Sequence, residues 1–126
     1  MEITDLAGRK ILVVEDEAIL ALDIVDQVEQ HNGVVIGPVA SLQAGLRALD
    51  QHKPDACILN IRLGPDKVYA LADRLLDAKI PFIFASGEQR ADIPSRFMGV
   101  PLHSKPVDMV KAAVGLINHG DTRAEI

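Results

Sequence analysis

Short, uninterrupted apolar runs recur along the chain, separated by stretches in which apolar and polar residues alternate. The runs occupy residues 11–14, 34–36, 56–59 and 82–85, and a brief fifth run lies at Leu102. Apolar runs that are bounded by turn residues and show no polar alternation are typical of strands buried on both faces. The pattern therefore predicts strands that begin near residues 11, 34, 56, 81 and 101.

The stretch after the first run has helical spacing. Ala18, Leu22 and Val25 recur at i, i+4 and i+7, and Ala21 and Val28 extend the same stripe. This period predicts an amphipathic helix that turns these five residues toward a core.

Helices are also predicted after the second, third and fifth strands. Ser41 and Asp66 are placed to cap two of them, because short polar side chains accept hydrogen bonds from the first turn of a helix. Pro94 falls within the segment 88–99, so any helix there is expected to be short or broken. The predicted inward faces are Leu42, Leu46 and Leu49; Val68, Leu71, Ala72 and Leu75; and Val110, Ala113, Val114 and Ile117.

Five successive strand-then-helix units favour an α/β fold. Parallel strands joined by right-handed helical crossovers give a doubly wound, five-stranded parallel sheet in the order 2-1-3-4-5, a flavodoxin-like three-layer sandwich. With 126 residues, one domain is expected. We predict that it spans residues 10–120, after a lead-in of residues 1–9 and before a flexible tail of residues 121–126.

Composition narrows the functional classes. The net charge of −5 argues against a nucleic-acid-binding face, which requires clustered basic residues. Aromatic residues make up 3% of the chain, so the core must be aliphatic. Cys57 lies inside a predicted strand and is expected to pack rather than react. No apolar run approaches the length that crosses a membrane, and we expect a cytoplasmic protein.

Polar residues share one structural position, the carboxyl end of a strand. Glu15 and Asp16 follow the first strand, Asn60 the third, Ser86 the fourth and Lys105 the fifth. In the predicted strand order, the first and third strands flank the switch point where open α/β sheets bind ligands. Carboxylate and amide oxygens suit Mg²⁺, and ammonium and hydroxyl groups suit phosphoryl oxygens. Each residue alone is more simply a cap or a loop residue, and it is their shared position that predicts a site.

These residues and their spacing resemble the receiver domain of two-component response regulators. The resemblance extends from Lys10 to about Asn118 and rests on residues 11–17 and 59–65, on Ser86, and on Lys105-Pro106. Residues 81–87 are similar to the Phe-Ala-Thr-Gly subgroup of receivers, whose fourth helix is degenerate and whose members often stand alone.

The resemblance implies a role for each polar position. Glu15, Asp16 and the backbone carbonyl of Arg62 would bind Mg²⁺ together with the residue at position 60. Ser86 would contact a phosphoryl group, and Lys105, joined to Pro106 by a cis bond, would be the family's lysine. Leu102 replaces the rotating aromatic residue of many receivers, so signalling by an aromatic flip is not expected.

Asn60 departs from the family pattern, which has aspartate as the phosphoacceptor. A carboxamide is neutral and does not attack phosphorus as a carboxylate does. The substitution also removes one anionic metal ligand, so we expect weak Mg²⁺ binding and an ion pair between Lys105 and Asp16. Asn60 is either a natural feature of a receiver that signals by binding alone or an engineered substitution, and the sequence leaves both open.

We therefore expect a non-enzymatic, single-domain receiver that acts in a phosphorelay through protein contacts. Its expected partners are a sensor histidine kinase or phosphotransfer protein and a downstream protein, with a homodimer possible and neither nucleic acid nor membrane involved. One alternative is a small metal-dependent phosphatase or hydrolase, although no convincing general base accompanies Ser86, Cys57 or Asp66. A flavodoxin-like nucleotide binder ranks last, since acids after the first strand would repel phosphate.

Overall fold

A computed structural model describes residues 5–104 and 114–115 of the chain. Within these residues, a strand is followed by an α-helix three times, with a short unpredicted hairpin between the third strand and its helix. The strands are β1 (Lys10–Val14), β2 (Val34–Val39), β3 (Ala56–Leu59), β4 (Arg62–Leu63), β5 (Asp66–Lys67), β6 (Phe82–Ala85) and β7 (Leu102–His103). The α-helices are α1 (Ala18–Gln30), α2 (Leu42–His52) and α3 (Tyr69–Ala78), and two 3-10 turns cover Arg90–Asp92 and Ser95–Phe97.

The main sheet has five parallel strands in the order β2-β1-β3-β6-β7. Because β4 and β5 form a separate small hairpin, this order is the predicted 2-1-3-4-5 with the hairpin strands counted. The predicted fold class is therefore confirmed. The register pairs Leu12 with Cys57 and Cys57 with Phe82, so β3 lies at the centre between β1 and β6.

Alternate residues of the central strands fill two hydrophobic layers, one on each face of the sheet. Leu12, Leu59 and Phe84 pack with the buried faces of α2 and α3, whereas the intervening residues Ile58 and Ile83 pack with α1. The uninterrupted apolar runs are explained by this two-sided burial.

The buried face of α1 agrees with the prediction only in part. Ala21 and Val28 are buried as predicted and Ile24 is buried with them, whereas Ala18 is exposed and Leu22 is 63% exposed. Two overlapping stripes of this helix satisfy a 3.6-residue period, and Ile24 belongs to the one that faces the sheet. The apolar period predicted the helix, but the direction in which the chain leaves β1 decides which stripe is buried.

The prediction that Asp66 caps α3 is wrong. Gly64 has a φ of 62°, a left-handed conformation that turns the chain so that β5 pairs antiparallel with β4. Asp66 lies opposite Leu63 in this hairpin and is exposed. The helix begins one turn later at Tyr69, after the buried residue Val68.

Other local signals are confirmed or extended. The Ser41 side chain accepts a hydrogen bond from the backbone N–H of Ala44 at 3.1 Å, as an N-cap should. The segment around Pro94 forms two 3-10 turns instead of a helix. Strand β2 does not end at Gly37-Pro38 but continues to Val39, with a cis bond between Gly37 and Pro38 and an irregular register beside β1.

The predicted last helix falls almost entirely outside the described residues, within which Val114 and Gly115 are helical. The predicted cis bond at Lys105-Pro106 lies outside them as well. The domain limits of 10 and 120 remain predictions. Among the described helices, none is both long and apolar enough to cross a membrane.

The observed face of α1 leads to a matched pair of stability predictions. Ile24→Ala should lower the free energy of unfolding by about 2–5 kcal/mol, because it removes a buried side chain from the sheet contact. Leu22→Ala should change it by no more than about 0.5 kcal/mol, since that side chain is mostly exposed. Urea unfolding followed by circular dichroism measures both, and a larger loss for Leu22→Ala would contradict this helix orientation.

Candidate functional site

The carboxyl ends of β1 and β3 bring together three of the predicted site residues. Strand pairing sets Val14 beside Leu59, and the backbone N–H of Asn60 donates to the carbonyl of Val14 at 2.8 Å. Glu15 and Asn60 are consequently neighbours, and both are buried, with 3% and 8% of their surface exposed. Asp16, one residue beyond Glu15, is exposed at the rim.

The Asn60 carboxamide is the centre of this group. Its nitrogen Nδ2 donates to Glu15 Oε2 at 3.1 Å, to Asp16 Oδ1 at 3.2 Å and to the backbone carbonyl of Arg62 at 2.9 Å. An amide nitrogen carries two hydrogens, so three acceptors share two donors. These acceptors are the same groups that the family resemblance implies as ligands of Mg²⁺.

Backbone amides also donate to both acids. Glu15 Oε2 also accepts from the N–H of Glu17 at 3.1 Å, and Asp16 Oδ2 accepts from the N–H of Gly64 at 3.1 Å. The second bond ties the β4–β5 hairpin to the end of β1. The left-handed conformation of Gly64 thus aims a donor at a carboxylate as well as reversing the chain.

Ser86 stands at the corresponding end of β6 and is 3% exposed. Its backbone N–H donates to the carbonyl of His103 in β7 at 3.0 Å, and its Oγ accepts from the N–H of Glu88 at 3.3 Å. The hydroxyl hydrogen takes no part in that second bond, so it can still donate to another oxygen. The structure therefore shows a local turn at Ser86, and its role toward a phosphoryl group remains a prediction.

Glu88 is a site residue that the sequence did not indicate. Its Oε1 accepts from Arg62 Nη2 and from Lys67 Nζ, each at 3.2 Å, and its side chain is 15% exposed. These ion pairs join the loop after β6 to the β4–β5 hairpin. Hydrogen bonds from Lys67 and then Arg62 lower the pKa of the Glu88 carboxyl. No sequence period signals the contact, because it joins loops that are distant in the chain.

Cys57 packs as predicted and lies away from any reactive setting. It is fully buried in β3, and burial raises the pKa of its thiol far above the ordinary range. A thiol held protonated is a poor nucleophile. Lys105, the remaining predicted site residue, lies outside the described residues.

The oxygen atoms at the site are of the type that binds a metal ion, but the hydrogen bonds that they accept oppose metal binding. Two carboxylates and a carbonyl are oxygen ligands of the kind that Mg²⁺ accepts. Their oxygens, however, are engaged by the N–H groups of Asn60, Glu17 and Gly64. Within residues 5–104 and 114–115, no three His, Cys, Asp or Glu side chains are grouped to hold a metal. The described arrangement does not fit a bound cation while the Asn60 nitrogen donates into it.

Solved structures of known proteins share this fold over most of the length of this chain. SdrG from Sphingomonas melonis Fr1 superposes with a TM-score of 0.76 and 32% sequence identity, covering 88% of this chain and 97% of SdrG. The response regulator PhyR from Brucella abortus has a TM-score of 0.76 and 25% identity over 94% of this chain and 51% of PhyR. No protein-family profile matches the chain.

A curated relative agrees with these structures. The transcriptional regulatory protein PdtaR from Mycobacterium tuberculosis is 21% identical over 89 residues, which are 70% of this chain and 43% of PdtaR. The chain thus spans about half the length of PhyR and less than half that of PdtaR. The five-stranded sheet, the polar strand ends and the match to SdrG together define a signalling domain with a receiver fold. The chain belongs to the receiver domains of two-component response regulators.

The lowered pKa of Glu88 can be tested by its dependence on two cationic side chains, Lys67 and Arg62. In the unsubstituted chain, the carboxyl should titrate below its ordinary range, and Lys67→Ala or Arg62→Ala should raise its pKa. Because pairing lowers the folded-state pKa, its stabilising effect is present at neutral pH and is lost as the pH falls through that pKa. Carbon-13 NMR titration of the Glu88 side chain measures the shift.

Arg74→Ala is the matched control, since Arg74 pairs with Asp50 on another part of the surface. It should leave the pKa of Glu88 unchanged. A Glu88 pKa that responds equally to all three substitutions would show that general charge, rather than the described ion pairs, sets its value.

Proposed function

We propose that this receiver signals through protein contacts without forming a phosphoryl adduct at position 60. The observation that carries the proposal is the place of Asn60: it stands at the end of the central strand, buried, where the family resemblance implies the phosphoacceptor aspartate. Its amide nitrogen is directed at Glu15, Asp16 and the Arg62 carbonyl. A neutral amide with this orientation offers no anionic nucleophile.

No described neighbour replaces the missing carboxylate. Asp66 lies in β5 and is exposed on the hairpin, opposite Leu63 rather than beside Asn60. Glu15 and Asp16 already accept hydrogen bonds from Asn60. In this proposal the two acids keep the strand ends in a receiver-like arrangement, and Ser86 and Lys105 are retained as the groups that would contact a phosphoryl group.

The same proposal assigns partners and cofactors by chemical role. A sensor histidine kinase or phosphotransfer protein would contact the site face, a downstream protein would receive the signal, and a homodimer is a possible assembly. Mg²⁺ would bind weakly, with Glu15, Asp16 and the Arg62 carbonyl as its ligands. We propose no role in binding nucleic acid or membrane and, within the domain of residues 10–120, no catalytic activity.

A hydrolase is less well supported by the geometry. Ser86 is buried, and its Oγ accepts from the backbone of Glu88 rather than donating to a general base. Cys57 is buried within β3, where its thiol stays protonated. The described residues thus give neither side chain the activation that nucleophilic catalysis needs.

The proposal predicts opposite outcomes for the chain and its Asn60→Asp variant. After incubation with acetyl phosphate and Mg²⁺, the unsubstituted chain should show no phosphoryl mass gain in intact-mass spectrometry. Asn60→Asp should gain one phosphoryl group, because it restores a carboxylate at the end of β3 beside Glu15 and Asp16.

Asn60→Gln is the matched control, since it keeps a carboxamide and should stay unmodified. Beryllofluoride provides a second probe: SdrG has been solved in a BeF3-activated conformation, and we expect the reagent to change the NMR spectrum of Asn60→Asp alone. A phosphoryl group on the unsubstituted chain would overturn the proposal. An Asn60→Asp variant that folds but stays unmodified would overturn the retained roles of Ser86 and Lys105.

A further inference from the structure

One nitrogen atom serves three oxygens in the buried end of the sheet. Asn60 Nδ2 lies 3.1 Å from Glu15 Oε2, 3.2 Å from Asp16 Oδ1 and 2.9 Å from the Arg62 carbonyl oxygen. A group that draws two carboxylates and a carbonyl together from two chain segments, residues 15–16 and residue 62, does what a bound cation does. The difference is that the carboxamide is covalently fixed to β3 and is always present.

Electrostatics explains why such a donor is needed. Glu15 is 3% exposed, and a buried carboxylate is stable only where hydrogen bonds replace its water. Bonds from Asn60 and from the backbone of Glu17 converge on its Oε2. With aspartate at position 60, an oxygen would face these acceptors instead of a nitrogen, and like charges at that distance repel.

We propose that the Asn60 carboxamide acts as a built-in substitute for the divalent cation and competes with it for Glu15, Asp16 and the Arg62 carbonyl. The inference rests on the proposed function and deepens it. The acidic end of the sheet is held closed by the chain itself and does not depend on Mg²⁺. A cation reaches the three oxygens only after the amide nitrogen has turned away.

The competition predicts a change in metal affinity on substitution of Asn60 that is opposite in sign to the change expected if Asn60 is a metal ligand. If Asn60 were a weak metal ligand through Oδ1, then Asn60→Ala would bind metal more weakly than the unsubstituted chain. If Asn60 competes with the metal, the same substitution frees three oxygens and strengthens binding. Asn60→Asp should bind most tightly in either case, since it adds an anionic oxygen.

Mn²⁺ is a suitable probe, because its free and bound forms are distinguished by electron paramagnetic resonance. We expect Asn60→Ala to bind Mn²⁺ about tenfold more tightly than the unsubstituted chain, the factor that corresponds to one hydrogen bond to a charged group. Gln27→Ala is the control: it also removes an amide-to-carboxylate bond, from Gln27 to Asp23 on the exposed side of α1, and should leave Mn²⁺ affinity unchanged. Equal or weaker binding by Asn60→Ala would overturn the proposal.

Asn60→Ala leaves the buried Glu15 carboxylate with fewer donors, and a second measurement on the unsubstituted chain decides the matter if this variant does not fold. In the presence of EDTA, the Asn60 side-chain amide hydrogens should exchange slowly in NMR spectra. They should remain protected at the Mg²⁺ concentration that saturates Asn60→Asp. Rapid exchange in EDTA, or loss of protection at that concentration, would overturn the proposal.

Thermal unfolding gives a matching readout. Mg²⁺ should raise the melting temperature of Asn60→Asp and leave that of the unsubstituted chain unchanged, because binding to the folded state stabilises it by mass action. An equal rise in both would count against the carboxamide as a substitute for the cation. These outcomes are separate from the phosphorylation test, since a chain that binds metal tightly can still lack a phosphoacceptor.

Discussion

The bonding of a buried carboxylate to a carboxamide organises the functional end of this domain. Glu15 follows four buried residues of β1 and is itself buried. Its charge must therefore be stabilised there by hydrogen-bond donors. Asn60, delivered by the neighbouring strand β3, is one of those donors. The same amide reaches Asp16 and the Arg62 carbonyl, so the end of β1, the end of β3 and the start of the hairpin are held by one side chain. The sheet sets the positions of these residues, and hydrogen bonds from the amide stabilise the acidic side chains at those positions.

Much of the fold was accessible from the sequence, because it depends on patterns that are local. The apolar runs predicted the five strands of the main sheet, and the alternation of strands and helices predicted a doubly wound sheet of this order. The face of α1 was predicted only in part, since Ala18 and Leu22 are exposed, and the start of α3 was predicted wrongly. In α1 two stripes had comparable apolar content, and tertiary contact chose the one with Ile24. In α3, Asp66 has the chemistry of a cap, but the turn at Gly64 used it in a hairpin.

The sequence predicted which polar residues stand at the strand ends and not which atoms they contact. Glu15, Asp16, Asn60 and Ser86 could be found because each follows a strand. The direction of the Asn60 amide depends on which oxygens surround it, and the two carboxylates among them come from a part of the chain more than forty residues away. Glu88 was missed for a related reason: its partners Arg62 and Lys67 belong to a hairpin that the sequence presented as the lead into a helix. Long-range polar contacts leave no periodic trace in a single sequence.

Arg62 contacts both sides of the site through different atoms. Its carbonyl oxygen accepts from Asn60, while its guanidinium reaches Glu88 in the loop that begins at Ser86. Lys67 of the neighbouring strand β5 donates to the same carboxylate, so both strands of the hairpin are bound to the loop after β6. A rearrangement of the carboxamide would therefore release the backbone of the residue whose charge holds a surface loop. The buried amide and a surface loop are in this way linked through a single residue.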